Sequence, residues 1–521
     1  MHVNGIWKGF NMRRRIVAFL LVSVLLALHL SISVFALGND AMDNRIKDML
    51  SCYHESGVLD IQFHLSVPAE EQYAIANEIY GSYEFTSLPE CGFYSGYVGE
   101  EELPHLLREL LSKEEVRYAF PNFYLPASDF SPSYGVSSLG YYDADTTEWA
   151  LEAVGAYAGW EMGFTASNSI TIAVLDSGLS SGNAQHDDML NIDWTNAYNF
   201  TAQGLSSDLT DYASHGTFIV GQLAACLNEY GVNGICPGVT ILPIKVAIGY
   251  YNSKAYASLS DALNGLNYAQ QKGAKIVNFS YDMSYSEYYD ITQNTYKGIF
   301  VTSAGNNSMD IASDSDNCAK INSLNNWIVV GAVDSSMQMA SISNYSSTYV
   351  DVFAPGVDIA SFSRDSVSGL KTGSGTSFAA PYVAGIAAIV AAKCPDKSRS
   401  SIINLLLSQV SSQSSLSGYC VSGGVVNLEN IASYLYSETR PAYAVGDVNG
   451  DGAVTGADYL LIKKHVLGTI SLTGSALAAA DVNNDSTVSA QDYIYTNRFV
   501  LQTAYFPVSW TVADWSTESV T

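Results

Sequence analysis

Apolar and polar positions along the 521-residue chain fall into regions of different period. From residue 37 to about 130, short alternating runs are separated by two amphipathic stretches. Leu59, Ile61 and Phe63 alternate with polar neighbours and predict a strand over Gly57–Ser66. Pro68–Tyr80 has helical spacing, with proline in its first turn. Tyr83–Ser87 and Gly92–Val98 read as short strands, Glu100–Ser112 as a second helix and Val116–Leu125 as a closing strand. From 149 to about 436 the pattern changes. Ile170–Leu175, Val239–Val246, Lys275–Phe279, Gly298–Ser303 and Trp327–Val333 are mainly apolar runs of strand length, as strands buried on both faces are. Gly216–Leu227, Ser258–Lys272 and Ser377 to about Ala392 read as helices between and after them. That alternation predicts an α/β domain with a mostly parallel sheet flanked by helices.

A third pattern is a repeat. Asp447-Val-Asn-Gly-Asp-Gly-Ala-Val-Thr-Gly-Ala-Asp458 recurs as Asp481-Val-Asn-Asn-Asp-Ser-Thr-Val-Ser-Ala-Gln-Asp492, and a fixed period marks a duplicated unit. Leu460, Leu461 and Leu467 recur as Ile494, Tyr495 and Leu501, which gives each copy an apolar helix. Each copy places oxygen-bearing side chains at positions 1, 3, 5, 9 and 12. These are Asp447, Asn449, Asp451, Thr455 and Asp458, then Asp481, Asn483, Asp485, Ser489 and Asp492. Ala453 and Thr487 hold position 7, where a calcium loop uses a backbone carbonyl. Ser486 stands where the first copy has glycine at a tight turn, so the second loop is expected to be strained.

Composition narrows the partners. The chain has 51 acidic and 24 basic residues, a formal net charge of −27. This argues against nucleic acid and anionic membrane as partners, which would repel the chain, and is compatible with a soluble extracellular protein and with Ca²⁺ binding. The first 36 residues carry Lys8 and Arg13-Arg14-Arg15, an apolar run from Ile16 to about Phe35, and Ala36 at a small-residue cleavage site. They read as an export signal, with a retained anchor as the alternative. Export would permit disulfides. Of seven cysteines, Cys226–Cys236 and Cys394–Cys420 are conceivable pairs, with buried free thiols the alternative.

The candidate chemistry lies in the α/β region. Asp176-Ser177-Gly178 follows an apolar strand, His215-Gly216-Thr217 opens a helix, and Gly375-Thr376-Ser377 opens another. A serine needs a base within reach, and the base needs a carboxylate to hold its tautomer. The Ser377 backbone N–H, at a helix start, would face a developing oxyanion. Gly375 allows close approach of a substrate, and Pro381 is expected near the first turn. Asn306, after the strand Gly298–Ser303, offers a second oxyanion donor.

With Asn278-Phe279-Ser280, Ala304-Gly305-Asn306 and Phe353-Ala354-Pro355-Gly356, these stretches resemble the subtilisin-like serine peptidases. The resemblance implies Asp176 as orienting acid, His215 as general base and acid, Ser377 as nucleophile and Asn306 as oxyanion donor. It implies endopeptidase action on peptide or protein substrates, bound as an added strand. Phe218 and Phe378 depart from the residues relatives carry there, as do Tyr281 and Asp282. Asp282 either favours a basic residue at the primary pocket or points to solvent. The strand–helix rhythm of the first region is a ferredoxin-like α+β pattern and resembles the inhibitory propeptide of the family. Val116-Arg-Tyr-Ala-Phe-Pro-Asn122 is its closing strand, and self-cleavage is expected between about Leu125 and Trp149.

The repeat resembles a dockerin, a small all-α module that binds two Ca²⁺ and a cohesin domain on a scaffold protein. Further Ca²⁺ sites in the catalytic domain are compatible with the family. Lys463-Lys464 and Asn497-Arg498 are equivalent positions, either partner contacts or solvated charges. The expected organisation is signal 1–36, pro-segment 37–140, peptidase 141–436, linker 437–443, dockerin-like domain 444–502 and tail 503–521. The expected product is a secreted zymogen, held at the cell surface through a scaffold, with no membrane insertion after signal cleavage. The alternative is a non-catalytic display or adhesion protein. A lapsed enzyme tends to lose one of Asp176, His215, Asn306 and Ser377, and all four are present.

Overall fold

The computed structural model describes residues 42–43, 46–47, 49–50, 54–64, 66–81, 83–89, 92–126, 145–179, 188–227, 231–250, 254–281, 296–313, 325–362, 370–438, 445–449, 454–483 and 486–500. The export signal, the 503–521 tail, Asp282, Cys52, Cys91 and Cys318 lie outside them.

The N-terminal unit runs β1 His54–Phe63, α1 Ala69–Tyr80, β2 Phe85–Leu88, β3 Phe93–Tyr97, α2 Leu103–Leu110 and β4 Val116–Pro126. Its strands lie in the order β2-β3-β1-β4, all antiparallel. This is the split βαβ arrangement that the alternation predicts. Leu59, Ile61 and Phe63 are buried with Tyr80, Phe93, Leu103 and Leu107. Asp60 and Gln62, on the opposite face of β1, are also buried.

The central domain contains β5 Thr171–Asp176, β6 Tyr198–Asn199, α3 His215–Ala224, β7 Thr240–Lys245, β8 Ala247–Tyr250, β9 Lys254–Ser258 and α4 Leu259–Gln271. It continues with β10 Ile276–Phe279, β11 Ile299–Ser303, β12 Trp327–Val333, β13 Val352–Pro355, β14 Ile359–Phe362, β15 Leu370–Gly373 and α5 Thr376–Lys393. It ends with β16 Ser411–Ser412, β17 Gly424–Val425 and α6 Leu428–Glu438. The main sheet has the order β16-β17-β13-β12-β11-β10-β5-β7-β6, parallel except for the β16–β17 pair. Its strands are apolar on both faces because helices cover both. Helix α5 is apolar all round and buried all round, as a helix crossing the heart of a domain must be.

Two readings meet the structure here. Of the alternatives for the cysteines, free thiols hold at Cys226, Cys236, Cys394 and Cys420. Helix α6 runs through Glu438, two residues into the expected linker.

The hairpin β8–β9 leaves the main sheet and joins the N-terminal one. Tyr124, Leu125 and Pro126 of β4 pair antiparallel with Ser258, Ala257 and Tyr256 of β9. One six-stranded sheet therefore crosses from the N-terminal unit into the central domain. The Asn122 side chain reinforces the join. Its Nδ2 donates to Ser260 Oγ (2.9 Å) and its Oδ1 accepts from Ser260 N (3.2 Å), in the first turn of α4.

The C-terminal module has α7 Gly456–Val466, α8 Gly474–Ala480 and α9 Ala490–Val500 around Val448, Ile462, Ala479, Ala480 and Val482. Leu461 and Tyr495 pack against this core, but Leu460 and Ile494 are 46% and 43% exposed and Leu467 65%. The repeated apolar pattern is thus split between a core and an outer face.

Candidate active site

Asp176 closes β5 at the carboxyl end of the parallel sheet, where open α/β sheets place their sites. His215 is the first residue of α3 and Ser377 the second of α5. All three are buried. Close approach of the Asp176 and His215 loops requires glycine twice. A Cβ on Gly216 would lie 2.2 Å from the Gly178 carbonyl oxygen. One on Gly178, at φ +116°, would lie 2.2 Å from the Leu209 carbonyl oxygen.

His215 Nδ1 lies 2.8 Å from Asp176 Oδ1 and 3.0 Å from Oδ2. An ionised carboxylate only accepts, so Nδ1 carries the proton and Nε2 is the basic nitrogen. Asp176 Oδ1 also accepts from Ser177 N (2.7 Å), Ser177 Oγ (3.2 Å) and Tyr281 Oη (3.1 Å). Ser177 Oγ donates as well to Asp211 Oδ1 (2.8 Å) and accepts from Gly216 N (3.0 Å).

Ser377 Oγ donates to the Ser280 carbonyl (3.1 Å), and Ser280 Oγ donates to the Ser377 carbonyl (3.0 Å). The second bond has a cause in the sequence. Pro381 lies inside α5, further in than expected, and has no N–H for the carbonyl four residues back. That carbonyl belongs to Ser377, and Ser280 satisfies it.

Asn306 Oδ1 accepts from Thr376 N and from Thr376 Oγ1, both at 3.0 Å. Thr376 Oγ1 in turn accepts from Gly305 N (3.1 Å). These bonds fix the amide's orientation, so its donating Nδ2 lies on the side away from Thr376. The structure thus brings Asp176 and His215 into contact, and holds Ser377 through Ser280 and Asn306 through Thr376.

Asp211 carries no motif signal, and Tyr281 stands out in the sequence only as a departure from its relatives. Asp211 lies four residues before His215, and it accepts from Ala213 N (3.1 Å), Ser214 N (2.8 Å), Thr217 N (2.8 Å) and Thr217 Oγ1 (2.7 Å). It holds Ser214 at φ +68°, the turn that starts α3 at His215.

Residues 167–426 match the model of the subtilase family, and residues 445–501 that of the dockerin type I domain. Subtilisin Savinase of Lederbergia lenta is 32% identical over 290 residues, which are 55% of this chain and 98% of that one. The chain belongs to the subtilase family. It is a subtilisin-like serine peptidase with a dockerin domain. A thermophilic serine proteinase of Bacillus sp. (strain AK1) is similar over a longer stretch, 28% identical across 441 residues, 80% of this subtilase and 99% of that protein. Fervidolysin from Fervidobacterium pennivorans, a keratinolytic enzyme related to subtilisin, shares the fold. Its TM-score is 0.55 at 22% identity, covering 76% of this chain and 64% of that one.

In the dockerin domain of this subtilase, Asp458 and Asp492 are fully buried and equivalent. Asp458 Oδ1 accepts from Val448 N and Asn449 N, and its Oδ2 from Thr455 N and Oγ1. Asp492 repeats this with Val482 N, Asn483 N, Ser489 N and Ser489 Oγ. Thr455 and Ser489 also accept from Ala457 N and Gln491 N, so position 9 caps each exit helix. Ser486 has φ +69°, the left-handed turn expected of position 6. Asp451, Ala453 and Asp485 lie outside the described residues. Among the described residues no three His, Cys, Asp or Glu side chains converge on one point.

Proposed function

We propose that the chain is a secreted serine endopeptidase made as a zymogen and tethered to a cohesin-bearing scaffold by its dockerin domain. The observation that carries the catalytic reading is the two-oxygen contact of Asp176 with His215 Nδ1 beside the start of α5. In this reading Ser377 Oγ turns from the Ser280 carbonyl and attacks the substrate carbonyl carbon as His215 Nε2 takes its proton. The negative oxygen is met by Ser377 N and Asn306 Nδ2. His215 returns the proton to the leaving amine, and water repeats the sequence on the acyl-enzyme. Asp176 holds the imidazole and balances its charge. Losing the Asn306 donor would raise the barrier by about 3–4 kcal/mol.

The pairing of β4 with β9 supports an inhibitory pro-segment, because β9 presents an edge to an extended chain and β4 occupies it. The domain organisation expected from the sequence, export included, is part of this proposal.

Dockerin type I domains and subtilases are calcium-binding families. The donors available here are hard oxygens, with the buried carboxylates of Asp447, Asp458 and Asp492 among them, and this set suits Ca²⁺. Asp447, Asn449, Asp451 and Asp458 would hold one ion, and Asp481, Asn483, Asp485 and Asp492 the other. Thr455 and Ser489 would contribute at position 9. The ion would balance carboxylates that otherwise repel one another.

A fluorophosphonate, which forms a covalent adduct with an activated serine, tests the catalytic reading. The processed protein is expected to be labelled and Ser377→Ala not. Absence of label in both would favour a display protein on a peptidase fold.

A further inference from the structure

Tyr281 stands directly after Ser280, in the stretch that touches Ser377, yet its side chain reaches the other end of the site. It is fully buried, and its hydroxyl donates to Asp176 Oδ1 at 3.1 Å. Its ring stacks on Phe279 (centroids 5.0 Å, planes 25° apart) and meets the His215 ring edge-on (5.7 Å, 66°). The ring is therefore wedged against the imidazole while the hydroxyl holds the carboxylate.

We infer that Tyr281 is a positioning residue of the acid–base pair, whose phenol shares the charge of Asp176 with His215 and lets the imidazole act as a base at lower pH. This rests on the catalytic reading proposed above. The physical reason is competition for one oxygen. A phenol–carboxylate hydrogen bond is strongest when the carboxylate's charge is undivided. When His215 gains a proton, the imidazolium draws on the same Oδ1, 2.8 Å away, and the phenol's bond weakens. The phenol thus favours the neutral imidazole. Among the described residues, the other ionisable groups near the pair include Asp211, beyond the Ser177 hydroxyl, and Lys245 on β7. Lys245 is paired in register with Asp176, but its ammonium donates to the Thr210 carbonyl (2.6 Å). Neither competes directly for Oδ1 as Tyr281 does.

The test is the pH profile of fluorophosphonate labelling in the full chain, expressed whole and allowed to process. Rates are taken per labelled site, so a misfolded fraction does not enter. Tyr281→Phe keeps the ring and its stacking and removes only the hydroxyl. Its acid limb is expected to move up by about half a pH unit, so labelling below the limb falls about threefold. Tyr281→Leu also removes the wedge on His215 and is expected to lower the plateau rate as well. A Tyr281→Phe limb that coincides with the wild type overturns the inference, even if stability has changed. A wild type that takes no label overturns the catalytic reading instead.

Discussion

Hydrogen bonds from Ser177, Ala213, Ser214 and Thr217 converge on the buried carboxylate of Asp211. Together they fix the left-handed turn at Ser214 from which His215 projects. Asp211→Ala would leave those donors buried and unanswered. The expected loss is about 3–5 kcal/mol, read by urea unfolding, with a fall in labelling rate at temperatures where the variant is still folded. Asp211→Asn keeps the shape but turns a donor toward other donors at one oxygen, so an intermediate loss is expected. A variant with wild-type stability would show that the turn is set by its backbone alone. At Ser486 the change should go the other way. Its left-handed backbone costs a non-glycine residue about 1 kcal/mol. Ser486→Gly is then expected to tighten the second calcium site by about fivefold in titration calorimetry, provided the loop orders on binding. Equal affinities in the two proteins would place the strain outside the binding step.

At the scale of elements, the groups that lie in contiguous motifs were legible in the sequence, and so were the strands β1–β5, β7 and β10–β12. Asp176, His215, Ser377 and Asn306 sit at element ends, and apolar runs announce the elements before or after them. The Tyr281–Asp176 bond was not legible, because it depends on where two strands separated in sequence are placed side by side. The hairpin β8–β9 was missed because it is short and carries no clean alternation. Burial of Asp60 runs against the pattern. Alternation around Leu59, Ile61 and Phe63 predicts a solvated opposite face, yet docking on α4 covers it. Asp60 there is within electrostatic reach of Glu55 and of Asp261 on α4. Burial pushes all three carboxyls above their ordinary range. Repulsion adds to this at Asp60 and Asp261, and a hydrogen bond from Asn122 Nδ2 to Glu55 (2.9 Å) offsets part of the rise at Glu55. Groups raised in this way hold protons when docked that they release when free. Docking is thus strongest below the ordinary carboxylate range and weakens as pH rises through that range toward the raised values. The inhibition constant of a separately expressed pro-segment is expected to rise at least about tenfold between pH 5 and 7. Asp60→Asn should flatten the dependence. A constant that does not change with pH would mean that the cluster stays buried in the free pro-segment too.

At the scale of the whole molecule, the crossing sheet joins the N-terminal unit, the proposed pro-segment, to the peptidase domain. The dockerin domain has its own small core. Four strands of the crossing sheet come from the pro-segment and two from the β8–β9 hairpin. The last described residues of β4 lie on the edge of β9 in an extended pairing of the kind a substrate strand makes. Under the proposed zymogen reading, self-cleavage is intramolecular, with no encounter step to limit it. Wild-type protein is expected to show a new N-terminus between Leu125 and Trp149, whereas Ser377→Ala keeps its pro-segment. Sheet pairing and the Asn122 contacts do not depend on the peptide bond that is cut. The released pro-segment should therefore remain bound and co-elute with the peptidase on a sizing column at pH 5. At pH 8, where its buried carboxyls resist docking, it should separate. Asn122→Ala removes the contacts with Ser260 without touching β4 pairing, and should shift this separation to lower pH. A Ser377→Ala chain that loses its pro-segment when expressed alone would assign the cut to another peptidase. Co-elution unchanged from pH 5 to 8 would instead leave self-cleavage standing and remove the carboxyl cluster as the means of release.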